Sequence, residues 1–213
     1  MATGTRTATT SGSPGRPRLV PSRRRGETAR DEILDAAAEL FTRHGYTGTS
    51  TRMIAEAVGI RQASMYHHFG TKDDILAHLL ETTVVGSVEQ ARTLLDADGP
   101  ALERLLTLAR YDVEQLARAR WNLGALYLLP EVGEPRFVEF RSARQELAAA
   151  YAALTSAVLG DPADKRCLLP FRLVESVIMM RADEQRGELG GHTAEGLVDT
   201  IVGAVRMLIE HRP

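Results

Sequence analysis

Within the seven residues from Gln62 to His68 the chain offers one amide, two hydroxyls and two imidazoles, on Gln62, Ser64, Tyr66, His67 and His68, and no carboxylate. Such a set can hydrogen-bond to base edges and phosphate oxygens and tolerates a polyanion, which suits a short helix laid in a DNA major groove. Other chemistries are poorly supplied. The adjacent His67 and His68 have no third His, Cys or carboxylate at a useful spacing, so no metal site is expected. Cys167, the single cysteine, falls in an apolar helical run without a base placed to activate it. No glycine-rich phosphate loop or pair of carboxylates occurs either. No cofactor is expected, and a helical enzyme is the weakest functional reading.

The polar cluster needs elements to hold it. Thr28-Ala29-Arg30-Asp31 reads as a capping box that starts a helix. Ile33, Leu34, Ala37, Leu40 and Phe41 then recur on one face, and Gly45 stops the helix. Thr49, Ser50 and Thr51 offer N-cap hydroxyls for a second helix ending at Gly59. A third short helix is expected over Gln62–His68, crossing the second at a turn that Gly59 permits, with Ala55, Val58 and Ile60 packing the crossing. Further helices are expected at about Lys72–Ala97, Pro100–Ala119, Trp121–Leu128, Pro135–Leu159, Pro162–Arg186 and Thr193–Glu210. Gly99-Pro100, Pro130, Gly133, Gly160-Asp161-Pro162 and Gly190-Gly191 separate them. No alternating strand pattern survives, so the expected class is all-α: a three-helix helix-turn-helix head followed by a larger helical body.

Charge divides along the same line. Residues 1–80 carry eleven Lys or Arg against eight Asp or Glu, whereas the other 133 carry fifteen against twenty. A basic front end on an acidic body implies that only the front meets a polyanion. Residues 1–26, rich in Thr, Ser, Gly, Pro and Arg, read as a disordered basic arm. Its Pro14-Gly15-Arg16-Pro17-Arg18 segment suits either a narrow minor groove or a merely solvated arm. Hydrophobic residues at 44% allow a buried core, and no apolar run approaches the ~20 residues that would span a bilayer. With one cysteine and no signal-like apolar stretch, a cytoplasmic protein without membrane contact is expected.

The spaced motifs Phe41…His44-Gly45-Tyr46, Thr49-Ser50-Thr51, Ile54-Ala55, Val58-Gly59-Ile60, Ser64-Met65-Tyr66-His67-His68-Phe69 and Lys72 carry a resemblance. Across residues 28–80 the chain resembles the DNA-binding head of the TetR (tetracycline repressor) family. The resemblance implies that Arg52 sits where a guanine is read, and that Gln62 and Ala63 touch base edges. It implies that Tyr66 and His67 bind phosphates, and that Lys72 anchors a phosphate at the start of the fourth helix. Thr49, Ser50, Thr51, Arg61, Ser64 and His68 complete the expected DNA-binding set. Met65 and Phe69 read as packing residues.

The rest of the chain matches that family only in being helical and of suitable length. The resemblance implies a homodimer formed by the last two long helices. Their apolar faces, with Leu173, Val177 and Ile178 on one and Leu197, Ile201, Val205 and Leu208 on the other, fit this, but could equally close the monomer's own core. Tyr111, Trp121, Tyr127, Phe137 and Phe140 are expected cavity walls, with Met179 as an adaptable one. Arg141, Arg172 and Glu175 are expected to orient an effector. Pro170 would interrupt the 162–186 helix. The head spans 27–71 and the effector-binding and dimerisation body 72–213. The functional expectation is a homodimeric repressor of double-stranded operator DNA, released by a small molecule. An architectural DNA-binding module without a sensor is the alternative.

Overall fold

A computed structural model describes residues 26–188, 191 and 193–211. The basic arm, including Pro14–Arg18, lies outside the described residues. Among the described residues there are eight α-helices, several 3-10 turns and no strand. They are α1 (Ala29–His44), α2 (Thr51–Val58), α3 (Gln62–Tyr66), α4 (Lys72–Asp96), α5 (Ala101–Arg118), α6 (Val138–Leu159), α7 (Leu169–Arg186) and α8 (Ala194–Glu210).

The expected caps form. The Thr28 hydroxyl accepts from the Asp31 amide while Asp31 accepts from the Thr28 amide, so each satisfies a backbone donor at the start of α1. Ser50 accepts from the Met53 amide, starting α2, and an unexpected cap, Thr71, accepts from the Asp74 amide, starting α4. Gly59 ends α2 in the left-handed region, at φ 78° and ψ 31°, where a β-carbon would be strained. That turn aims α3 across α2 with Ile54, Ala55, Val58 and Met65 buried at the junction.

Two cores lie along the length of the molecule, and α4 and α6 run through both. Ile75, Leu76, Leu79 and Leu80 of α4 pack with Ile33, Ala37 and Phe41 of α1 in the first. Val88 and Ala91, further along α4, pack with α5, α7 and α8 in the second. On α6, Phe140 belongs to the first core, whereas Leu147, Tyr151 and Leu154 belong to the second. With 25 residues, α4 is about 38 Å long at ~1.5 Å per residue, long enough to link the two.

Four local expectations need correction. Helix α3 ends at Tyr66, and His67 and His68 lie in the following turn. Residues 121–128 form a 3-10 turn over Leu123–Leu126 rather than an α-helix, pinned to α7 by Asn122, whose amide donates to the Ile178 carbonyl at 2.9 Å. Pro170 does not interrupt a helix. It sits in the first turn of α7, where its missing N–H has no partner to lose, and residues 165–168 form a separate 3-10 turn. Finally, Val177, Ile178, Leu197, Ile201 and Val205 are buried within the single chain, and Leu173 and Leu208 pack partly against the same core. Those faces close the monomer's own core, so a partner would have to meet their outward neighbours.

Candidate nucleic-acid interface and internal cavity

Residues Arg61 to Ser64 and Tyr66 to His68 are all exposed, while Met65 and Phe69 between them are buried. The short helix thus turns its apolar residues inward and its polar ones outward. Two side-chain contacts fix the face: the Gln62 amide donates to Thr51 Oγ1 at 2.9 Å, and the Tyr66 hydroxyl lies 3.3 Å from the same oxygen. Thr51 thereby ties the start of α2 to both ends of α3. Arg30 of α1 braces the turn behind, donating to the His68 carbonyl at 3.2 Å and stacking 4.1 Å from the centre of the Phe69 ring.

Arg52 is exposed at the start of α2 and pairs with Glu56 at 2.8 Å. So exposed a pair is weak and can be exchanged for another partner. Thr49 is different. It is buried, its hydroxyl donating to the Gly45 carbonyl at 2.9 Å, so it stands behind the reading face rather than on it. Lys72 also has an internal role. Its ammonium donates to the Tyr46 and Thr49 carbonyls at 2.9 and 3.0 Å and lies 4.0 Å from the Tyr46 ring centre. Two of its three protons therefore serve the fold, stapling the loop before α2 to the start of α4.

Besides the apolar core it shares with Leu126, Val132, Phe137 and Phe140, the head meets the rest of the chain through polar contacts. Arg120 and the Trp121 indole both donate to Asp35 Oδ1 on α1, at 2.7 and 3.1 Å. Arg136 donates to Thr71 Oγ1 at 2.6 Å and also to Asp74, so the turn before α6 grips the first turn of α4. The Tyr46 hydroxyl donates to Asp73, and burial together with that carboxylate pushes the Tyr46 phenol well above its ordinary range.

Trp121 faces two ways, since it also lines a cavity of about 220 Å³ between α4, α5, the 121–124 turn and Arg181. Thr83, Ser87, Gln115 and Leu116 are shared with a small central chamber of about 30 Å³. Tyr127, Arg144, Glu175 and Ile178 connect that chamber to a third recess of about 250 Å³, with Arg172 and Met179 at its rim. Of the expected walls, Tyr111 and Trp121 line the first space, Tyr127 and Glu175 the second and third, and Arg172 and Met179 the third. Phe137 and Phe140 do not line these spaces; both are buried in the first core. Arg141 is also elsewhere, donating to the Val132 and Glu134 carbonyls at 2.6 Å and so fixing the turns before α6.

The chamber's most consequential group is one that sequence reasoning missed. Asp112 on α5 is 3% exposed, accepts from the Tyr151 hydroxyl through Oδ2 at 2.7 Å, and has no hydrogen-bond partner for Oδ1. Burial pushes its carboxyl up to about 6, with the nearby Ser87 and Tyr151 hydroxyls pulling the other way. A signal was present: Asp112 follows Leu108 and Ala109 by four and three residues, which puts it on the buried stripe of α5. Glu175, by contrast, is doubly paired. Arg144 donates twice to its Oε1, at 2.8 and 2.5 Å, and Arg172 to its Oε2 at 2.6 Å.

Among the described residues, no three His, Cys, Asp or Glu groups are placed to hold a metal ion, and no helix is long and apolar enough to cross a membrane. Cys167 is buried, and burial pushes its thiol up, away from the reactive thiolate.

A short polar helix held across a capped partner, on an all-helical body with an internal cavity, defines a helix-turn-helix protein with a separate cavity-bearing unit. Residues 33–79 match the family of bacterial regulatory proteins described as the tetR family. The crystal structure of Mycobacterium smegmatis AmtR is 52% identical, superposes with a TM-score of 0.81, and is covered over 92% of its length by 91% of this chain. The chain belongs to the tetR family of bacterial regulatory proteins. Among curated relatives, the HTH-type transcriptional repressor KstR2 of Mycobacterium tuberculosis is 36% identical over 76 residues, which are 36% of this chain and 38% of that protein. The match thus spans well under half of that relative. A structure of AibR in complex with isovaleryl coenzyme A and operator DNA shares the fold, with 22% identity and a TM-score of 0.59.

Proposed function

We propose that the chain is a DNA-binding transcriptional repressor of the cytoplasm, acting as a homodimer and released from its operator by a small molecule. The observation that carries this reading is the exposed, carboxylate-free face of α3, held rigidly against α2 by Thr51. Arg52, Gln62 and Ala63 would read bases; Ser50, Arg61, Ser64, Tyr66, His67 and His68 would contact the backbone or flanking edges. Residues 27–71 form the reading head, 72–213 the effector and dimer unit, and the arm at 1–26 adds phosphate attraction.

The partner would meet the outward stripes of the last two helices. On α8 these are Thr200, Gly203, Ala204 and Met207, spaced for one face, and on α7 the exposed Leu169 with the half-buried Ser176 on the same face. Met207 is 68% exposed, and the small residues beside it allow close approach of a second helix. The cavity between α4, α5 and α7 would take the effector. Its wall residue Trp121 also donates to Asp35 of α1, which gives an occupant a direct route to the head besides any shift of α4. What supports repression is the naming of KstR2 as a repressor, and what supports a ligand-responsive regulator is the AibR complex, which holds a ligand together with operator DNA.

Selecting random-sequence DNA with the purified chain tests the reading. A two-fold symmetric sequence should be enriched, with half-sites about one helical turn, ~34–36 Å, apart or a multiple of it. Recovery of DNA without any shared sequence would favour an architectural binder and overturn it.

A further inference from the structure

A buried carboxylate is costly unless something compensates its charge. Of the cationic side chains at and beside the central chamber, Arg144 and, in the third recess, Arg172 bond to Glu175, and Arg181 in the first cavity donates to the Leu116 and Ala119 carbonyls; none of them bonds to Asp112. Asp112 has only neutral hydroxyls beside it, Tyr151 donating to Oδ2 at 2.7 Å and Ser87 nearby, and its Oδ1 has no hydrogen-bond partner within the chain. The rest of the chamber wall is half apolar, with Leu116, Leu147, Phe171 and Val174, and half polar, with Thr83 and Gln115 among it. We propose that this chamber takes the cationic nitrogen head of a small organic molecule, an alkylammonium or amidinium group, with Asp112 as its anionic partner. The inference rests on the reading of the cavity as the effector site.

Size and shape agree. About 30 Å³ in the chamber is room for one small group such as an ammonium head and no more. A neutral water in that space would satisfy Oδ1 but leave the charge uncompensated. Burial raises the Asp112 carboxyl, and a bound cation is the partner that would hold it ionised. The larger space toward Trp121 and Tyr111, about 220 Å³, accommodates an organic tail. The rings of Tyr127 and Phe171 beside the chamber add favourable faces for a cation.

The test titrates the purified full chain with n-butylammonium chloride, butan-1-ol and sodium butyrate at neutral pH and constant ionic strength. Trp121, the single tryptophan, lines the adjoining space and reports binding by its fluorescence, with calorimetry as the second readout. Butylammonium should bind at least about ten-fold more tightly than the alcohol or the carboxylate, and Asp112→Asn should lose about ten-fold of that affinity while binding the alcohol as before. Should Asp112→Asn fail to fold, the order of the three probes on the natural chain still decides. Equal affinity for ammonium and alcohol, tighter binding of butyrate, no ammonium binding at millimolar concentrations, or an unaffected Asp112→Asn would overturn the proposal. Ammonium binding that leaves DNA affinity unchanged would instead overturn the effector reading and leave the site standing. DNA release by compounds indifferent to Asp112→Asn would do the reverse.

Discussion

A lysine at the first position of a helix is electrostatically misplaced, because the N-terminal amides already carry partial positive charge. Lys72 is kept there by the Tyr46 and Thr49 carbonyls and the Tyr46 ring. Its replacement by Ala should therefore cost about 1–3 kcal/mol of stability in urea denaturation, on top of weaker binding to every DNA sequence. Arg52→Ala should behave in the opposite way. Its pair with Glu56 is exposed, so stability should change by less than about 0.5 kcal/mol, while discrimination at one base pair should fall by about 1–3 kcal/mol. If Lys72→Ala leaves the urea midpoint unmoved, or Arg52→Ala keeps full specificity, the corresponding assignment is wrong. Asp112 adds a pH signature. Its folded carboxyl, raised to about 6 from an ordinary 3.8, favours the protonated form, so its contribution is fully present below pH 3.8 and lost as pH rises through about 6. The ligand-free chain should gain up to about 3 kcal/mol from this group on acidification across that window, and Asp112→Asn should flatten the gain. Thermal midpoints of both proteins across that window decide it.

Helix α4 is where reading and sensing would share one element, since Lys72 opens it beside the head and Thr83, Gly86 and Ser87 line the cavity. At Gly86 it passes close to α5: a β-carbon there would lie 2.8 Å from the Tyr111 hydroxyl. Gly86→Ala should raise the helix propensity of α4 by about 1 kcal/mol while pushing Tyr111 into the cavity. The thermal midpoint should change little, and cavity ligands should bind more weakly in a Trp121 fluorescence titration; unchanged ligand binding would mean that this space is not the effector's. Elements were the most legible scale. The capping box at Thr28, the N-cap hydroxyl of Ser50 and the stop at Gly59 announce α1 and α2 because each satisfies backbone groups locally, whereas the Thr71 cap of α4 went unread. The start of α7 was not legible, because Cys167, Leu168 and Leu169 continue an apolar pattern through a 3-10 turn and Pro170 looks like a break where it is a start. The outward face of α3 could be read from residue types alone, whereas Phe137, Phe140 and Arg141 could not be sorted between core and cavity. Aromatic and arginine side chains serve either, and long-range packing chooses.

At the scale of the whole molecule the account requires two chains. Val177 and Val205 are fully buried within one chain, so Val177→Asp should unfold it rather than merely separate subunits. Met207→Asp, on an outward face, should leave the helical circular dichroism intact and yield monomers in sedimentation. A natural chain that sediments as a monomer at micromolar concentration would contradict this assembly. Two chains would place two α3 helices at a fixed separation, and on the proposed reading an occupant of the cavity that disturbs α4 or the Trp121–Asp35 contact would change that separation. Such a coupling, typically about 1–3 kcal/mol, must be reciprocal in binding free energy. The most direct measurement is therefore the affinity of a DNA-releasing compound for the chain, by calorimetry, with and without the selected operator. The account predicts that operator DNA weakens compound binding by the same factor by which the compound weakens operator binding. Equal compound affinity in both cases would contradict it.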